Sequence, residues 1–196
     1  MLVLDGRFDE GFAEYDRALA LDPLSMAIKS DIAYAYVYKR DLDKAAESLD
    51  QLIEEDPSFS RSHAYLSTVY CAKKDFPRAI DEMEKAWKIA GEGPEVLQYA
   101  ERFRRAFAKD GERGYFEEFI DQHIGNGRKA PVQAAWGYAQ LGEPDKAFAM
   151  LELAISDPEY RINRGSIPYV KAWVQLDPLH NDPRWPILLD RVGLTR

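Results

Sequence analysis

An all-α protein built from repeated helical hairpins is what this sequence predicts. Two observations carry the prediction: apolar residues return at helical spacing, and whole columns of residues return after a fixed interval. Asp22-Pro23 recurs 34 positions on as Asp56-Pro57, and Phe8, Leu42 and Phe76 make a column at the same interval. Gly11, Ala45 and Ala79 make another, as do Tyr15, Leu49 and Met83, and Ala18, Leu52 and Ala86. Upstream in the unit, Ile32-Ala33 with Tyr36 matches Leu66-Ser67 with Tyr70. Large apolar residues at i and i+4, with small ones beside them, give each helix one face that holds a core and admits a neighbour closely. Ala33, Ala45, Ser67 and Ala79 are the expected points of close approach.

Taken in order, residues 1–24 form an incomplete unit whose second helix runs from Phe8 to Leu21. Its first helix would need about ten residues before Met1, so Met1 is expected to be an artificial boundary or the start of an odd capping segment. Residues 25–59 and 60–93 are full units. Lys39-Arg40-Asp41 and Lys73-Lys74-Asp75 are their internal turns, and Asp41 and Asp75 are placed to cap the helices that follow. Pro23 and Pro57 fall where a helix must stop, because the residue before proline is pushed out of the α region. Residues 94–127 read as a degenerate unit, with helices from Pro94 to Lys109 and Glu112 to Ile124 and a turn at Gly125-Asn126-Gly127. Residues 128–160 give a further hairpin, Pro131 to Gln140 and Asp145 to Ile155, with Ala135, Tyr138, Gly142, Ala147, Leu151 and Ala154 in the repeat columns. Residues 161–196 carry Pro168, Asp177-Pro178, Asp182-Pro183 and Pro186, which fit a cap of short helices and turns.

A helix-turn-helix of this period, with Leu66-Ser67, Tyr70, Ala79, Met83 and Ala86 in that order, resembles the tetratricopeptide repeat. The resemblance implies a right-handed α-α superhelix of about five hairpins over 1–160. A second resemblance covers Arg104 to Leu194. It rests on Tyr138-Ala139-Gln140-Leu141-Gly142-Glu143, Lys146-Ala147-Phe148 and Leu151-Glu152-Leu153-Ala154. The ending Leu176-Asp177-Pro178-Leu179-His180-Asn181-Asp182-Pro183-Arg184-Trp185, with Leu188-Leu189 and Val192-Gly193-Leu194, carries it most specifically. This stretch is similar to the repeat regions that end bacterial winged-helix transcriptional regulators, class III adenylate cyclases and some serine/threonine kinases. That resemblance implies a sensory or interaction region attached to an output domain.

Composition narrows the class. The 46% of hydrophobic residues can fill a core, while a net charge of −8 argues against a general phosphate-binding surface, so direct nucleic-acid binding is not expected. With Cys71 as the one cysteine, no internal disulfide or paired thiol ligand can form, and a reducing, cytoplasmic setting is expected. No apolar run spans a bilayer and no signal-peptide pattern opens the chain, so no membrane segment is expected in it.

Candidate functional residues follow from the register, since the first helix of each hairpin lines the concave face of such an array. Its outward residues are expected to be Ser30, Tyr34 and Val37, then Arg61, Ala64, Thr68 and Cys71. Further along they are Gln98, Arg102 and Arg105, then Lys129, Val132, Trp136 and Ala139. Of these, Tyr34, Arg61, Thr68, Arg102, Arg105 and Trp136 make the partner-binding groove, because aromatic and guanidinium groups together suit an acidic or C-terminal peptide. Against this, Arg102-Phe103-Arg104-Arg105 on an amphipathic helix is also what a solvated face looks like. The carboxylate clamp of the chaperone-binding repeats is absent, its places being held by Tyr34, Tyr38, Thr68 and Ala72.

No catalytic set stands out. His63, His123 and His180 sit on separate units without Cys or His at metal spacing, so packing or surface roles are expected and neither metal nor cofactor is. Cys71 reads as a small, half-buried apolar residue. Gly125-Asn126-Gly127 lacks the strand and the Lys-Ser/Thr of a phosphate loop. Three functions remain open: a non-catalytic protein-interaction module regulating a larger bacterial signalling protein, a small-molecule-sensing domain controlling an attached output domain, and self-association with a second copy.

Overall fold

The computed structural model describes residues 2–125, 130–156 and 169–194, and every regular element among them is helical. Lys129, Pro168, the end of the 125–127 turn and the expected boundary at 160/161 lie outside the described residues. The chain gathers into two compact units, Met1–Arg104 and Arg105–Arg196.

The first unit opens with a 3-10 turn, Leu2–Asp5, whose Val3 is buried against Gly11 of α1 (Phe8–Leu21). The hairpins α2 (Met26–Tyr38) with α3 (Leu42–Glu55) and α4 (Ser60–Ala72) with α5 (Phe76–Ile89) follow. Asp41 accepts a hydrogen bond from the Lys44 amide at 3.1 Å and Asp75 from the Arg78 amide at 3.3 Å, so each predicted cap closes one exposed N–H of its helix. Arg40 (φ 65°) and Lys74 (φ 63°) hold the left-handed conformation that reverses the chain just before those caps. The small-residue columns let the helices close: Ala33, Ala45 and Ala79 are buried, and Ser67 Oγ donates to the Ala79 carbonyl at 2.7 Å. Around them Leu49, Leu66, Val69 and Ile80 are buried, each contributing about 1.5–3 kcal/mol by leaving water.

The two helices of a hairpin differ in a way that sets their positions. Uncharged residues run around most of α2 and α4, which bury side chains on several sides, whereas α3 and α5 carry their charges on one side. A helix apolar on several sides must be covered on several sides. Accordingly α2 packs on α3 and on α4, which makes α2 and α4 the inner helices of this unit.

Helix α6 (Pro94–Ile124) is interrupted at Asp110 (φ −132°, ψ 16°) and Gly111 (φ 60°, ψ −140°), between the two helices that the sequence predicts there. In the second unit α7 (Pro131–Gln140) pairs with α8 (Pro144–Ser156) through a turn at Gly142 (φ 70°). Gly137 is a point of close approach, for a Cβ there would lie 2.5 Å from Ile120 of α6. A 3-10 helix, Val174–Leu179, packs on α7, and Gln140 Nε2 donates to the Gln175 carbonyl at 2.8 Å. Helix α9 (Arg184–Arg191) buries Trp185, Leu188 and Leu189. It is tied to α8 by Arg184 on Asp145 (2.8 Å) and Arg191 on Glu152 (2.5 Å).

Candidate functional site

On the inner helices of the first unit, equivalent positions of successive repeats meet. Asp31 and Tyr65 occupy one column, and the Tyr65 hydroxyl donates to Asp31 Oδ1 at 3.0 Å. Tyr34 and Thr68 occupy another, and their hydroxyls are hydrogen-bonded. Stacking one hairpin on the next brings such pairs together, because the repeat shifts α2 onto α4 by one structural unit. The Tyr34 ring lies 4.2 Å from that of Tyr65, inclined by 30°, and meets Tyr38 edge-on at 5.2 Å. All three tyrosines are half-buried. Burial pushes the Tyr34 phenol up to about 12, with the Thr68 hydrogen bond opposing it. Tyr65 is raised as well, first by burial and then by the neighbouring Asp31 charge. Both phenols are therefore neutral and act as fixed aromatic surfaces with their polar ends occupied.

The strip is nearly neutral. Arg61, with 46% of its side chain exposed, faces Asp31 at 3.7 Å, and Lys29 is paired with Glu55 of α3. Ala64 is exposed between Arg61 and Thr68, whose hydroxyl donates to the Ala64 carbonyl at 3.2 Å.

The six residues expected to form one groove divide between the units. Tyr34, Arg61, Thr68 and Arg102 belong to the first, Arg105 and Trp136 to the second. Arg102 is half-buried with its guanidinium 5.3 Å above the Tyr99 ring, and Arg105 is exposed. Neighbouring Arg104 bonds Asp81 and Glu101, each at 2.8 Å, and Glu84 at 2.5 Å; those hydrogen bonds raise its pKa. Trp136 is half-buried between Phe119, stacked at 6.2 Å, and Trp173, edge-on at 4.5 Å.

Four residues placed outward by the register are instead buried. Ser30 and Val37 are covered because α2 packs on two neighbours, and the Ser30 hydroxyl turns back to the Ala27 carbonyl at 2.8 Å. Val132 and Ala139 are covered because α7 lies between α8 and the 3-10 helix. Conversely, Asp31, Tyr38 and Tyr65 join the strip without having been singled out as groove residues. The column relation between Asp31 and Tyr65 was the signal for that pair.

The histidines serve packing. His63 is buried with Nδ1 2.6 Å from Glu82 Oε2 and Nε2 3.3 Å from the Pro57 carbonyl. His123 Nδ1 lies 2.8 Å from the Phe119 carbonyl, and the His180 ring sits 4.7 Å from Trp185. Among the described residues no group of three His, Cys, Asp or Glu side chains converges as a metal site would require.

This geometry defines an all-helical protein of stacked helical hairpins. Residues 30–94, which contain the strip, match the family model of the tetratricopeptide repeat. Over 65 residues the chain is 35% identical to the inactive TPR repeat-containing thioredoxin TTL3 of Arabidopsis thaliana, covering 33% of this chain and 9% of that protein. Over 65 residues it is 34% identical to the TPR repeat-containing thioredoxin TTL4 of the same plant, covering 33% and 10%. Over 92 residues it is 22% identical to the human protein O-mannosyl-transferase TMTC1, covering 47% and 10%. The chain thus spans about a tenth of the length of these curated relatives. Tetratricopeptide repeats generally mediate protein–protein interaction. Among the described residues no helix is long and apolar enough to cross a membrane.

Proposed function

We propose that this chain is a non-catalytic protein-interaction module whose working surface is the inner face of α2 and α4. The observation that carries the reading is the Tyr38–Tyr34–Tyr65 strip: ring-to-ring contact across two repeats, half-buried, with Arg61 and Thr68 beside it. Aromatic side chains already held in place lose little freedom on binding, which is why they dominate interface energetics. Arg102 extends this contact region within the first unit; Arg105 and Trp136 would be contact points of the second. The resemblance of Leu176 to Leu194 to the ends of bacterial regulators supports a further step, in which the module regulates a larger cytoplasmic signalling or transcription-regulatory protein.

The test is site-specific photocrosslinking in lysate of the source organism. A photoreactive residue replaces Ala64, exposed on α4, or Glu47, exposed on α3, in otherwise unchanged protein. A protein captured from position 64 and not from 47, and lost when Tyr34→Ala and Arg61→Ala are added, is the expected result. Equal capture from both positions, or capture from neither, removes the inner face as the working surface.

A further inference from the structure

We infer that the partner segment taken by the inner face of the first unit is proline-rich and uncharged, in the polyproline II conformation; this deepens the interaction reading above and rests on it. The expected acidic peptide meets an obstacle of charge. The one Lys or Arg on each inner helix already has its own anion: Arg61 lies 3.7 Å from Asp31, and Lys29 is paired with Glu55. Asp31 keeps 43% of its side chain exposed, so an incoming carboxylate would meet its negative charge along with the charge of Arg61. A basic segment meets the converse problem. The strip therefore selects against charge of either sign and rewards apolar contact.

Among uncharged segments, the polyproline II helix fits what the rings offer. Its backbone has no internal hydrogen bonds, so its carbonyls stand outward as acceptors, and its restricted torsions leave little entropy to lose. Flat aromatic faces receive proline rings, and a donor beside them anchors a carbonyl between prolines. Here the donor is Arg61, whose guanidinium is half-exposed at the edge of the strip. The phenol hydroxyls are committed to Asp31 and Thr68, so the rings cannot swing away to seek partners of their own. Prolines on one edge of such a helix recur every ~9 Å. The Tyr38, Tyr34 and Tyr65 rings, in contact at 5.2 and 4.2 Å, make one continuous aromatic surface against which such prolines pack.

The experiment titrates the whole chain with fluorescent peptides of about ten residues: an oligoproline, an oligoglutamate with a C-terminal carboxylate, and a Gly-Ser control. Fluorescence anisotropy reads binding, and circular dichroism checks each variant's fold. The expected result is saturable oligoproline binding, with oligoglutamate and Gly-Ser weaker by about tenfold or more. Tyr65→Phe keeps the ring and is expected to stay within about threefold of wild type, whereas Tyr65→Ala loses about tenfold or more. Ala64→Arg places a bulky cation on an exposed position without touching the core and should block binding in a folded protein. Tighter binding of oligoglutamate, or oligoproline binding that ignores Ala64→Arg, overturns the proline-rich assignment. Crosslinking from position 64 together with no oligoproline binding leaves the interaction surface standing and removes this partner class. Failure of both removes the surface as well.

Discussion

The two units solve the same problem differently. In the first, each hairpin is covered by a copy of itself: α2 lies against α4, and the residues that meet are equivalent positions such as Asp31 and Tyr65. In the second, α7 is covered by an irregular 3-10 helix, Val174–Leu179, with no counterpart in the repeat. Self-covering leaves a regular strip of side chains half-buried along the inner helices. Covering by the irregular segment buries Val132 and Ala139 and encloses Trp136 between Phe119 and Trp173. A repeated hairpin thus keeps its inner face half-exposed where repetition continues and gives it up to packing where repetition ends. Charge follows the same division. The first unit holds 21 of the 34 acidic residues and 14 of the 26 basic ones, with nine of its acids on α1 and α3 and a single one, Asp31, on α2 and α4.

The sharpest way to break this comparison is at the small-residue column both units share. Ala45 and Ala79 in the first unit and Ala147 in the second are fully buried members of it. Ala79→Arg and Ala147→Arg should each cost more than about 3 kcal/mol, because a guanidinium cannot be buried unpaired between packed helices. Urea unfolding followed by circular dichroism reads the loss. A folded Ala79→Arg protein of near wild-type stability would refute the hairpin register of the first unit.

A smaller effect separates the turns. Gly142 is left-handed, but Gly111 combines φ 60° with ψ −140°, a region closed to residues with a Cβ. Gly111→Ala should destabilise by about 2 kcal/mol and Gly142→Ala by about 1 kcal/mol, measured by thermal melting. Equal shifts would place the special conformation at Gly111 in doubt.

The acid limb of stability distinguishes the irregular cap. Asp182 accepts hydrogen bonds from the Arg184 side chain and backbone, which hold its carboxyl at about 2 rather than 3.8. A depressed carboxylate contributes stability above its unfolded pKa and loses it as pH falls toward the folded value. Asp182→Asn should therefore flatten the decline in melting temperature between pH 3.8 and about 2. An unchanged acid limb would mean that this turn is not stabilised by the pair.

The smallest effect lies at the first unit's turns, where a lysine holds the conformation that glycine holds at 142. Lys74→Gly should raise stability by about 0.5–1 kcal/mol through relief of its positive φ. A loss would show that the Lys74 side chain makes contacts that outweigh its backbone strain.

Much of the fold was legible because helical periodicity and the 34-residue interval are local and repeated signals. The caps Asp41 and Asp75, the stops before Pro23 and Pro57 and the break between Lys109 and Glu112 all lie where residue type restricts the backbone. The site was less legible. Register alone put Tyr34 and Thr68 in one column of the inner helices, where they meet, but it sent Ser30, Val37, Val132 and Ala139 to the wrong side, because it does not say how many neighbours cover an inner helix.

By itself, then, the sequence determined the class of fold, its repeat and its turns, since those depend on torsional preference and on which face of each helix is apolar. Only the tertiary structure decided that Asp31 neutralises Arg61, that Tyr34 stacks on Tyr65 and that α7 is sealed by the 3-10 helix. Those outcomes depend on distances between residues remote in the chain, which periodicity brings near but does not fix to within the few ångströms where hydrogen bonds and ring contacts form.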